Sequence, residues 1–212
     1  MAPDIKDCHH QHCCERKKLL RKILTFILIA FLLILITILI IWAILRPTKP
    51  TFILQDVTVS VFNASTPNLL TTNFQVTIKS GNPNDRTGIY YDKLDIYATY
   101  HGQQVTLPTA IPPTFQGSNE VNVWSPLICG TDVPIAPFNS VLLNQEQSSG
   151  GVTLLIKADG RVRWKVGSFT SGRYHLYVRC PAFISFGSGS TGIIISENVV
   201  KYQMATRCTV SV

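Results

Sequence analysis

An antiparallel β-sandwich carried on one N-terminal transmembrane helix is the fold this sequence predicts. Three observations predict it. Residues 23–45 run without a single charge, apolar side chains recur at every second position through much of residues 51–212, and helical periodicity is almost absent from that second stretch.

The first element is a polar tail, residues 1–22, with six basic and three acidic side chains. It is too short to build a core. Within it, Cys8-His9-His10-Gln11-His12-Cys13-Cys14 crowds six metal-ligand types into seven residues. Structural zinc sites space their ligand pairs along a folded frame, which nothing here supplies, so no metal site is expected. S-acylation of Cys13 or Cys14 fits a thiol on the reducing side of a bilayer, with unmodified thiols as the alternative.

The second element, residues 23–45, reads as the span. At about 1.5 Å per residue it reaches roughly 34 Å, enough to cross a hydrocarbon core of about 30 Å. Arg16, Lys17, Lys18, Arg21 and Lys22 precede it and only Arg46 and Lys49 follow, which predicts a cytosolic N-terminus. A cleaved signal would have a shorter apolar run and a small-residue cleavage site, whereas this run ends Trp42-Ala43-Ile44-Leu45-Arg46-Pro47. The net charge of +7 is therefore mostly juxtamembrane, and nucleic-acid binding has no support.

After a linker, 46–50, residues 51–212 make one domain. Val57, Val59 and Val61 alternate with Thr58, Ser60 and Phe62; Phe74, Val76 and Ile78 with Gln75, Thr77 and Lys79; Leu94, Ile96 and Ala98 with Asp95, Tyr97 and Thr99. Asp159-Gly160 between the patterns 152–158 and 161–166 predicts a two-residue hairpin turn. Further strands are expected over 174–180 and roughly 193–208, and one short helix over 140–146 capped by Asn139 or Ser140.

Enzymatic readings fail at the residues they need. Gly187-Ser188-Gly189-Ser190-Thr191-Gly192 matches G-x-G-x-x-G but precedes Ile193-Ile194-Ile195, a strand pattern, where a dinucleotide site needs a helix. The layout resembles that of Golgi glycosyltransferases, yet the chain has no Asp-x-Asp. His101 and His175 both sit in strand-like patterns, away from any nucleophile motif. No catalytic residue and no cofactor is expected. Asn63-Ala64-Ser65 is the lone N-glycosylation sequon, on the outer side and just before the turn-like Thr66-Pro67-Asn68.

The stretch Asn82-Pro83-Asn84-Asp85-Arg86-Thr87-Gly88-Ile89-Tyr90-Tyr91-Asp92 resembles the N-P-N-x-R-x-G-I-Y-Y-D motif of the plant non-race-specific disease resistance and harpin-induced-like family, whose outer domain is of the late-embryogenesis-abundant group 2 type. Segments 100–104, 112–117, 133–138 and 160–167 extend the likeness along the chain from Arg21 onward. The resemblance implies a plasma-membrane protein of plant immunity, with a fibronectin-III or immunoglobulin-like sandwich outside the cell and no catalytic activity. Glycolipid anchoring, known in one branch, is not expected, because residues 205–212 lack the apolar tail it needs. Read from the residues alone, Asn82-Pro83-Asn84 is turn chemistry and Gly88 permits a positive φ, which makes the motif a corner of the sandwich and not a ligand site.

Three outer cysteines, Cys129, Cys180 and Cys208, allow one internal disulfide. The resemblance places cysteines at 180 and 208, which implies that pair and a free Cys129. With Val162, Trp164 and Val166 facing the core, and Tyr174, Leu176, Val178 and Cys180 inward on the next strand, Arg161, Arg163, Lys165, Arg173, His175 and Arg179 are expected to merge into one basic patch. Its expected contact is acidic material outside the cell, such as de-esterified pectin or anionic headgroups. The main functional expectation is an outer domain that binds a cell-wall component or another membrane protein. The rival is a lipid carrier with an apolar cavity of several hundred Å3.

Overall fold

The computed structural model describes residues 5–44, 47–65, 68–186, 192–196 and 199–212. It divides into two compact units, Met1–Arg46 and Pro47–Val212. The first is a single helix, α1 (Ile5–Ile44), of 40 residues. Its stretch Leu19–Ile40, with mean hydropathy 3.3, is long and apolar enough to cross a membrane. The hydroxyls inside it bond to their own helix, Thr25 to the Lys22 carbonyl (2.9 Å) and Thr37 to that of Ile34 (2.7 Å), so neither is left bare in an apolar medium. The helix runs on from the apolar stretch back through the polar tail to Ile5.

The second unit is an all-antiparallel β-sandwich. One sheet has the order β12 (Ile193–Ser196), β13 (Val199–Arg207), β1 (Thr51–Ser65), β2 (Leu69–Gly81), with β7 (Val121–Trp124) and β8 (Leu127–Pro134) sharing the far edge of β2. The other runs β14 (Thr209–Ser211), β11 (Tyr174–Ser185), β9 (Gly151–Val166), β3 (Gly88–Tyr100), with β4 (Gln103–Gln104), β5 (Thr109–Ile111) and β6 (Thr114–Gln116) along the far edge of β3 and β10 (Phe169–Thr170) returning on β9. Alternation drives the layering. Phe74, Val76 and Ile78 from one sheet and Leu94, Ile96, Ala98, Val152, Leu154 and Ile156 from the other all lie in one continuous buried cluster.

Several local expectations are corrected. Asp159-Gly160 is not a turn: β9 runs straight through it, Asp159 opposite Tyr177 on β11 and Asp95 on β3. A β-carbon on Gly160 would collide with the Lys93 carbonyl and stand 3.1 Å from the Leu94 Cα, so this glycine serves a close backbone approach and not a positive φ. Val61 is 39% exposed, because the β1–β2 register shifts between Val59 and Val61 and turns Phe62 toward the core in its place. Gly88 has no positive φ. A side chain there would meet the Phe115 ring at 2.7 Å.

The short helix α2 (Pro137–Ser149) begins before Asn139. Pro137 lies in its first turn, where a missing N–H leaves no bond unmade, and Ala136 provides no side-chain cap. Gly150 ends it at φ 105°. His101 is in the turn between β3 and β4 at φ 44°, not in a strand, with Nε2 3.4 Å from Glu146 of α2.

Candidate functional site

The tyrosine motif joins β2 to β3 and stitches three chain segments. Asn82 and Asn84 are buried. The Asn82 amide donates to the carbonyls of Thr87 (2.7 Å) and Gly117 (2.8 Å), while its oxygen accepts from the Asn84 backbone (3.1 Å) and side chain (2.8 Å). Asn84 in turn accepts from the Thr48 N–H (2.7 Å) and donates to the Thr48 carbonyl (2.8 Å). It thereby satisfies both backbone groups of one residue, as a neighbouring strand would. Pro83 and Arg86 are exposed, and Arg86 forms no ion pair among the described residues.

Past the corner, alternation sends Ile89 and Tyr91 inward and Tyr90 outward. The Tyr91 hydroxyl lies 2.8 Å from Ser80 Oγ and donates to Gln116 Oε1 (2.9 Å), and the Gln116 amide caps the Ser80 and Glu120 carbonyls. Burial pushes the Tyr91 phenol far above its ordinary pKa, against a smaller opposite pull from the Ser80 bond. Tyr90 packs on Phe115 at 4.5 Å and carries Arg163 and Lys165 over its ring face at 5.4 and 5.7 Å.

Asp92 occupies a bulge. The β3–β9 register jumps between Tyr91 and Lys93, leaving Asp92 without an opposite residue. Its carboxylate accepts from Arg163 through Nε (2.8 Å) and Nη2 (2.6 Å), and from Arg173 Nε (3.3 Å). The Arg163 bond, outweighing the opposing effect of burial, holds this carboxyl below its ordinary pKa, with Arg163 and Arg173 charges adding to it. The motif and the basic face thus meet at two residues, Tyr90 and Asp92.

That meeting redraws the expected patch. Arg163 and Arg173 are held by Asp92, and Lys165 lies over the Tyr90 and Phe115 rings. Arg161 and His175 are cross-strand partners, whereas Arg179 sits further along β11 opposite Lys157. Tyr174, expected inward, is 48% exposed, since it opens β11 beyond the cover of the core. The outer face forms rows across β3, β9 and β11: Lys93, Arg161 and His175; then Asp95, Asp159 and Tyr177; then Tyr97, Lys157 and Arg179. A groove of about 400 Å3 lies among Lys93, Asp95, Asp159, Gly160, Arg161 and His175. Lys93 pairs with Asp95 at 2.6 Å. Among the described residues Arg161, Lys165 and Arg179 form no ion pair.

The other singled-out residues lie apart from this face. Asn63 is exposed and sits within β1 opposite Thr71, not in a turn. Cys180 on β11 and Cys208 after β13 are disulfide-bonded, and Cys129 is free with its thiol 3.6 Å from Asn73 Oδ1. The side chains of Cys13 and Cys14, and residues 187–191 of the glycine-rich stretch, lie outside the described residues. Sequence reasoning missed Asp92 as counter-ion and Lys93, Asp95, Asp159 and Tyr177 beside the groove. Period-two placement was the available signal for the residues beside the groove, whereas the bulge at Asp92 offered none.

Comparisons with known proteins agree on a family. The model of the family described as late embryogenesis abundant protein matches residues 77–180. The chain is 57% identical to NDR1/HIN1-like protein 1 of Arabidopsis thaliana over 98% of its own length and 100% of the relative's. It is 60% identical to NDR1/HIN1-like protein 12 of the same plant, covering 98% and 99%. NDR1/HIN1-like protein 26, also from Arabidopsis thaliana, is 38% identical over 74% of this chain and 75% of that protein. With the motif built into the corner of an antiparallel sandwich and two full-length relatives above half identity, the chain belongs to the NDR1/HIN1-like family of late embryogenesis abundant proteins.

Proposed function

We propose that this chain is a membrane-anchored, non-enzymatic protein of plant defence and stress response whose outer domain binds acidic cell-wall material. In this reading residues 1–22 are cytosolic, 23–45 span the plasma membrane, 46–50 link, and 51–212 face the wall. S-acylation at Cys13 or Cys14 adds a second anchor, and Asn63, exposed on β1, carries a glycan. Family membership supports the defence and stress role. The single observation that supports the ligand class is the set of outward cations without a carboxylate partner among the described residues, Lys157, Arg161, Lys165 and Arg179, on a sheet whose inner face belongs to a continuous apolar cluster. A charged outer face over such a cluster favours surface binding over the lipid-carrier alternative.

Two measurements test it. Full-length chain in nanodiscs is expected to bind immobilised polygalacturonate at low salt and to release at high salt, as screened multivalent contacts require. An Arg161/Lys165/Arg179 triple-Ala variant with unchanged melting should lose that binding. Equal retention of wild type and variant would refute the ligand class. For topology, a glycosidase-sensitive mobility shift in plant membranes that disappears in Asn63→Gln supports an outer domain. External protease that spares residues 51–212 in right-side-out vesicles would overturn it.

A further inference from the structure

Charge alone does not account for the groove at the centre of the outer face. A polyanion needs only cations, yet this groove also holds a carboxylate, Asp159, that forms no ion pair or side-chain hydrogen bond among the described residues. Such a group repels an anion unless it accepts from ligand donors. Lys93 already neutralises Asp95 at 2.6 Å, so the uncommitted groups along the groove are the Arg161 guanidinium, the His175 imidazole and the Asp159 carboxylate.

Their arrangement follows from the fold. Arg161 and Asp159 are two residues apart on β9 and so share a face at about 6.6–6.8 Å spacing. His175 and Tyr177 stand directly opposite them on β11. The two rings are near-parallel, 9° apart in plane with centroids at 5.9 Å, and Tyr177 is 45% exposed. Gly160 lines the groove with its backbone between Asp159 and Arg161. A cation, an acceptor and an exposed ring side by side on one face are together what a carboxylated sugar presents partners for: the carboxylate for guanidinium, vicinal hydroxyl donors for the acceptor, and an apolar C–H face for the rings. A volume of about 400 Å3 accommodates one or two such rings.

We infer that this groove is a subsite for a uronic-acid residue of an oligosaccharide, with Arg161 taking the sugar carboxylate, Asp159 accepting from its hydroxyls and Tyr177 with His175 packing on its apolar face. This rests on the wider reading of an acidic wall ligand and adds to it a discrimination that charge cannot supply: sugar acids over other polyanions.

The test titrates full-length chain in nanodiscs with a short oligogalacturonate, with polyglutamate of similar charge, and with a neutral galactose oligomer. Wild type should prefer the oligogalacturonate to polyglutamate and ignore the neutral sugar. Asp159→Asn should weaken oligogalacturonate binding by about tenfold, the loss of one charge-assisted hydrogen bond, while polyglutamate binding stays equal or tightens. Tyr177→Thr, a strand-compatible surface change, should weaken only the sugar. Arg161→Ala should weaken both anions. If Asp159→Asn and Tyr177→Thr leave the oligogalacturonate affinity at the wild-type value, or the wild type does not distinguish the two anions, the subsite is overturned and only a generic basic face remains. If neither anion binds wild type, the wider reading falls with it.

Discussion

Replacing Asn84 by Ala should loosen the whole outer domain although no ligand contact is involved. The substitution removes three hydrogen bonds: those to the Thr48 N–H at 2.7 Å and carbonyl at 2.8 Å, and the one donated to Asn82 Oδ1 at 2.8 Å. At about 0.5–1.5 kcal/mol net for each, the expected loss is about 3 kcal/mol. For a domain of this size that corresponds to a melting point lower by roughly 6–12 °C. Differential scanning calorimetry of the chain in nanodiscs reads the shift, and hydrogen exchange at the Thr48 amide should accelerate most. Arg86→Ala, in the same motif but exposed and unbonded, should change stability by no more than about 0.5 kcal/mol. If Asn84→Ala melts with wild type, or Arg86→Ala falls as far, the motif is not the structural corner described above.

Three further outcomes are expected. Asp92→Asn should destabilise at neutral pH, and because the folded carboxyl titrates below its ordinary value, its contribution is full above the usual carboxylate range and fades as pH falls through the depressed folded value. Melting curves of wild type and variant should therefore converge only at strongly acid pH, and convergence near neutrality would contradict the Asp92–Arg163 pair. Gly160→Ala should cost at least about 1–3 kcal/mol by forcing β3 and β9 apart at Lys93, measured by denaturant titration; a neutral result would mean the close approach is absent. Converting Cys180 and Cys208 to Ser opens a crosslink spanning 28 residues, worth about 3.5 kcal/mol in the chain-entropy account, and peptide mapping without reduction should recover the linked pair.

The strands were legible wherever one face meets the core and the other meets solvent, as at Phe74, Val76 and Ile78, because period-two alternation is a local property of sequence. Asp159-Gly160 misled for an instructive reason. The pair has the residues of a tight turn, but β9 is held from both sides by β3 and β11, and two ladders outweigh one local preference. The glycine answers a neighbour's backbone that lies 67 positions earlier in the chain, at Lys93, which no local reading contains. The site was half legible on the same principle. Outward basic residues on β9 and β11 could be read from alternation, whereas the bulge that delivers Asp92 to Arg163 and Arg173 depends on register between distant strands.

The end of the chain changes sheets: β13 pairs with β1, and after Cys208, whose N–H donates to the Phe52 carbonyl at 2.9 Å, β14 joins β11 in the opposite sheet. The disulfide from Cys208 to Cys180 fastens that changeover covalently. Across the sandwich the seam has no covalent tie among the described residues: it is held by hydrogen bonds such as Leu107 N–H to the Cys129 carbonyl (2.8 Å), Thr109 Oγ1 to that of Leu127 (2.8 Å) and Thr72 Oγ1 to that of Val105 (3.4 Å), and, at the motif corner, by the Ser80–Tyr91–Gln116 network. The domain is thus a book bound along one spine. Opening under heat, tension or a detergent-like ligand should begin at the Val105–Thr109 and Leu127–Cys129 margin, and a reducing environment, by cutting the binding, would make the two margins comparable.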